Sequence, residues 1–349
     1  MTILKRTLSL AVGAAIMVAS GVALASDAPV KGNIRVVLGV NSTGGDTYQN
    51  ASIIANRLAE KIDANIRVDA IGAVNAFRTL QRQGKSGNTI MFIHDQAYLG
   101  RLYEVPGYID IFEETIVGPT ISINPGNAYL VPKSSPYATV DDIIEAVGKG
   151  ERVRLATERG GASHLGYSAL KNAIKLKYPG KEEGLVLLNT GSQADKNQAL
   201  FDGQADVIHG SIQGNEQFTR LPADDQKAMR FVWITASGET IQQMPPEGMG
   251  ETTRDHMMAW VDPETEVYAN EKDLFTYDKM FYFLYHKDMD PKIVKYFDDA
   301  IAEVFAEGEI QKEFQRSFFI PSFRKSDEAR TFLEDKKDAY ANILAGLEK

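Results

Sequence analysis

The chain of 349 residues contains no cysteine. That absence excludes a disulfide framework, a lipid-anchored N-terminal cysteine, thiolate catalysis and cysteine-ligated zinc. Histidine is scarce as well. His94, His164, His209, His256 and His286 show no close metal-ligand spacing, so neither a metal nor a cofactor is expected. No Gly-x-Ser-x-Gly elbow occurs, which removes the usual sequence mark of a serine hydrolase. Positive charge is in deficit, with 38 Lys and Arg against 47 Asp and Glu and a formal net charge of −9. That balance argues against a nucleic-acid partner. Beyond residue 25 no run is long and apolar enough to span a bilayer.

What is present begins with an export pattern. Lys5 and Arg6 precede an apolar stretch at 8–22, and Ala23, Leu24 and Ala25 form a small-x-small cleavage site. Residues 1–25 therefore read as a signal peptide, and the mature product is expected to be periplasmic. Cleavage takes away two basic residues and no acid, moving the net charge from −9 to −11 and leaving 324 of the 349 residues. That length suffices for two compact lobes.

Along the mature chain, strand-like and helix-like runs alternate, the pattern of α/β units with parallel sheets. A strand at 34–40 leads into a helix whose Ala51, Ile54, Ala55, Leu58 and Ile62 recur at helical spacing. Runs at 66–71, 89–93, 116–123, 128–131, 153–157, 185–188, 205–208 and 231–235 also read as extended. The stretch 241–261, with Pro245, Pro246 and scattered Gly and Met, reads as an irregular connection. After it the chain reads as helical, ending in a charged, solvated helix over 326–347.

Two glycine-bearing loops stand at strand-to-helix junctions. The first comprises Ser42, Thr43, Gly44, Gly45, Asp46, Thr47 and Tyr48; the second runs from Thr157 through Gly160 and Gly161 to Ala162, Ser163 and His164. A helix start leaves backbone N–H groups unpaired beside a partial positive charge, and glycine removes the Cβ that would hold an anion away. Ligands of open α/β sheets bind at the carboxyl ends of the strands, where both loops lie. A third junction, Thr190, Gly191 and Ser192, and the strand end at His209 are expected to line the same crevice. His94 and Asp95 end another strand there; as neighbours on a strand they point to opposite faces and make a poor catalytic dyad. Tyr48 and Asn75 offer stacking or an amide contact, against a plain packing or capping role. Glu158 and Arg159 are expected to pair with each other or with solvent.

The order of these features resembles the solute receptors of tripartite tricarboxylate transporters, the Bug family. The resemblance rests on Gly44-Gly45 after the first strand and Ala162-Ser163-His164-Leu165 at a helix start. It rests also on Asp202-Gly203-Gln204-Ala205-Asp206 before a strand, Ile123-Asn124-Pro125 at a crossover, and the C-terminal helices at 290–308 and 326–347. It implies an α/β clamshell of the type II periplasmic-binding-protein kind, each lobe a mainly parallel sheet flanked by helices. The first lobe is expected to comprise 27–123 plus 237–349, and the second 124–236. It further implies a monomer that performs no chemistry, holds a small organic acid through loop amides, hydroxyls and water rather than a dedicated Arg, and hands it to membrane permease subunits. The chain departs from the family where Ser42 replaces a Pro, Tyr48 an Asp, and Gly72-Ala73-Val74-Asn75 a glycine pair. Dicarboxylates, aromatic acids and amino acids all remain possible ligands. A receptor of another clamshell transporter class and a periplasmic hydrolase are the alternatives, the latter weakened because Ser163 and His164 are adjacent rather than a positioned nucleophile and base.

Overall fold

The computed structural model describes residues 28–248, 251–261, 263, 267 and 274–347. The expected signal peptide, 1–25, lies outside the described residues. The chain opens with β1 (Asn33–Leu38), α1 (Asp46–Ile62), β2 (Asn65–Ala70), α2 (Ala73–Gln83), β3 (Thr89–His94), α3 (Gln96–Leu102), α4 (Ile111–Glu114) and β4 (Thr115–Asn124). It continues through β5 (Asn127–Pro132), α5 (Val140–Gly148), β6 (Val153–Glu158), α6 (Ala162–Lys177), β7 (Leu185–Thr190), α7 (Gln193–Phe201), β8 (Val207–Ser211), α8 (Ile212–Thr219) and β9 (Met229–Ile234). Two short helices, α9 (Gly238–Gln242) and α10 (Arg254–Met258), precede β10 (Lys279–His286), α11 (Pro291–Ala306), α12 (Glu309–Arg316), β11 (Ile320–Arg324) and α13 (Ser326–Leu347).

Two sheets result, in the orders β11-β4-β10-β3-β1-β2 and β7-β6-β8-β5-β9. Both are mixed rather than mainly parallel. The β-α-β units β1/β2, β1/β3, β6/β7 and β6/β8 pair parallel, as a helical crossover requires. Strands that carry the chain between sheets, β4, β5, β9 and β10, meet their neighbours antiparallel.

The chain beyond residue 261 is not all helix. Met280 to Tyr285 of β10 are fully buried between β3 and β4, because a central strand covered on both faces needs an unbroken apolar run rather than alternation. Each such side chain contributes about 1.5–3 kcal/mol by leaving water. The segment around α9 and α10 packs Ile241, Met244 and Met257 into a cluster that holds both Phe231 and Ile234 of the second sheet and Phe318 and Ile320 at β11 of the first.

The two sheets are tied where the chain crosses between them. Thr235 donates its N–H to the Asn127 carbonyl at 2.9 Å and accepts the Tyr277 N–H at 2.7 Å, so outgoing and returning strands run side by side. Gly126 sits at this crossing with φ 104°, where a Cβ would come within 2.6 Å of the Tyr277 carbonyl. Only glycine tolerates both constraints.

Candidate functional site

The loops that follow β1, β3, β6 and β7 converge between the sheets. α1 and α6 begin alike: Gly45 and Gly161 are extended N-caps with no side-chain cap, although the Thr47 N–H of α1 is taken by the Asp46 carboxylate at 2.9 Å and the His164 N–H of α6 by the Gly161 carbonyl at 3.0 Å. α7 instead begins with Ser192, whose Oγ accepts the Asp195 N–H. Between these helix starts lies a cavity of about 60 Å³, room for roughly four waters or a short organic molecule.

Nine residues expected from the sequence line it: Ser42, Gly45, Asp46, Thr47, His94, Ala162, Ser163, Gly191 and Ser192. The Ser163 Oγ accepts the Glu158 N–H at 2.8 Å, which leaves its own proton available. His94 is buried, its Nδ1 accepts the Gln96 N–H at 3.1 Å, and the remaining proton therefore sits on Nε2. Burial pushes its pKa down to about 3, reinforced by the Lys279 ammonium, so the ring is neutral at physiological pH.

The other expected residues lie outside the lining, each for a visible reason. Asp95 turns to the opposite face of its strand end, where Lys336 of α13 meets it at 3.0 Å and the Met280 N–H donates to it. His209 is fully buried; its Nδ1 donates to the Ser163 carbonyl and its ring stacks on Tyr129 at 4.3 Å. It supports the start of α6 from beneath. His164 stacks on Tyr103 at 4.6 Å and accepts the Gly160 N–H. Tyr48 packs against the cluster beneath α1, and Thr43 and Gly44 are exposed. Thr190 bonds the Thr157 carbonyl, which holds β7 to β6 and leaves both outside the lining. Asn75 donates to the Ile71 carbonyl and lines an adjoining surface depression that shares Val40, Asn41, Gln96 and Glu158 with the cavity.

Sequence reasoning missed the charges and amides that complete the site. Lys279, at the start of β10, meets Asp46 at 2.5 Å in a buried ion pair. Burial opposes ionisation of Asp46, but the Lys279 ammonium and the Lys279 and Asn124 hydrogen bonds outweigh it and hold the carboxyl below its ordinary value. Gln96 of α3 donates at 2.9 Å to Glu158, at the end of β6, and so bridges the two sheets across the cavity rim. Asn124 bonds both Asp46 at 2.6 Å and Gln213 of α8 at 2.8 Å. Lys196 of α7 also lines the cavity. The apolar run at 280–285 would have marked β10 as a strand, but no local pattern marks Lys196 or Gln96 as lining the cavity.

No protein-family model and no curated protein matches the sequence. The fold does match solved structures. MatC from Rhodopseudomonas palustris with bound malate aligns at a TM-score of 0.70 and 13% identity, over 90% of this chain and 99% of that one. A second R. palustris structure, with adipate, aligns at 0.75 and 14%, over 91% and 97%. The periplasmic binding protein BugD aligns at 0.68 and 15%, over 91% and 98%. This chain therefore takes the two-lobed α/β fold of a periplasmic binding protein.

Proposed function

We propose that the chain is a periplasmic solute receptor, which encloses a small organic carboxylate between two lobes and delivers it to a tripartite tricarboxylate-type permease. One lobe is built on the six-stranded sheet and the other on the five-stranded sheet. The observation that carries this reading is the cavity itself: the uncapped starts of α1 and α6 face it from different sheets, and neutral His94 and the Ser163 hydroxyl stand beside them. Such donors suit a carboxylate. The malate and adipate carried by two structures of the same fold agree with it. Among the described residues no helix is long and apolar enough to cross a membrane, as an exported receptor requires. The receptor performs no chemistry: the His209 Nδ1 engages the Ser163 carbonyl rather than its hydroxyl, and the His164 Nδ1 accepts the Gly160 N–H, so neither of these histidines activates Ser163 through that nitrogen.

A thermal-shift panel of organic acids tests the reading. An acid at ~100 times its dissociation constant adds about 2.7 kcal/mol of stability. The small cavity predicts a larger shift with malate than with adipate. A panel in which no carboxylate moves the transition overturns the proposal. In titration calorimetry with the best acid of the panel, Ser163→Ala is expected to weaken binding roughly ten- to a hundred-fold, the loss of one hydrogen bond to a charged group worth about 1.5–3 kcal/mol.

A further inference from the structure

We infer that Lys196 is the charge-selecting residue of the cavity, its ammonium meeting the carboxylate of a small anionic ligand directly. This rests on the receptor reading above and goes beyond amide and water recognition. Lys196 projects from α7, is only 5% exposed and lines the cavity. Its Nζ donates to the His209 carbonyl at 3.1 Å; among the described residues no carboxylate lies within salt-bridge distance of it, whereas Lys279, the other lining lysine, is neutralised by Asp46. A buried cation with no ion-pair partner is costly, so a carboxylate entering beside the starts of α6 and α7 supplies the direct contact that Glu158, acting only from a distance, does not. An uncharged isostere does not.

The charged groups around Lys196 are few. Glu158 on β6 faces it but is tied to Gln96, Asp46 and Lys279 form the neutral pair across the cavity, and His209 on β8 is buried and uncharged. Burial lowers the Lys196 pKa to about 8 against the pull of Glu158. The cationic fraction therefore falls within an accessible range as pH rises, and apparent affinity for an anion falls with it.

The test uses the mature protein, with malate and the other acids of the panel as probes and malamide as the uncharged control. Wild type is expected to bind malate and not malamide, and its malate affinity to drop about 30-fold between pH 7 and pH 9.5 as the ammonium is lost. Lys196→Met, with unfolding curves to establish that it folds, is expected to lose more than a hundred-fold in affinity and to show no alkaline decline. Lys196→Met binding as wild type does, or a flat wild-type profile to pH 9.5, overturns the role of Lys196 alone. The wild-type profile decides even where the variant fails to fold. Failure of every acid to bind wild type removes the receptor reading and this inference together.

Discussion

Lys279→Met is expected to cost about 3–5 kcal/mol of stability in urea unfolding, among the largest effects of any single substitution in the protein. The ion pair it breaks is buried on both sides, with the Lys279 side chain 6% and the Asp46 side chain 8% exposed. Removing the cation leaves Asp46 as an uncompensated charge held by the neutral donors of Asn124 and of the Thr47 N–H and hydroxyl. The double variant Asp46→Asn, Lys279→Met is expected to recover part of the loss, since removing both charges leaves none unpaired. The folded-state pKa of Asp46 lies below its ordinary value, so its stabilising contribution is present above the ordinary carboxylate range and is lost as pH falls through the folded value. The stability gap between wild type and Asp46→Asn should therefore close in acid. A Lys279→Met protein that unfolds like wild type at neutral pH would show that the pair contributes nothing.

Gly45→Val is expected to abolish acid binding, weakening malate more than a hundred-fold by calorimetry, while leaving the fold nearly intact. The position has φ −100° and ψ 170°, an extended conformation open to any residue, so backbone strain is absent. A Cβ there meets no atom within 4 Å, because the space it enters is beside the cavity. The valine therefore fits the protein and blocks the ligand. Its cost to the cap of α1 is roughly 1 kcal/mol, small beside the binding loss. Near-wild-type affinity in a folded Gly45→Val protein would mean that this loop is an ordinary strand-to-helix turn, and that the ligand is bound elsewhere.

The features that depend on neighbours in the chain are legible from residue order alone. Helical spacing placed α1, glycine pairs placed the uncapped starts of α1 and α6, and the charged run placed α13 at 326–347. These follow from local sterics and hydrogen bonding, which act over a few residues. Which of those local features share a cavity, and what charge the cavity carries, depends on long-range packing. Asp46 finds Lys279 across 233 positions, Gln96 finds Glu158 across 62, and Asn124 joins Asp46 to Gln213. Nothing in residue spacing encodes such pairings, because the mixed sheets bring β10 back between β3 and β4 only after the chain has built the second sheet. The same return explains why Asp95, adjacent to His94, lies on the far side of the site against α13. One residue along a strand end reverses the face, and only the packed neighbour decides which face is the cavity.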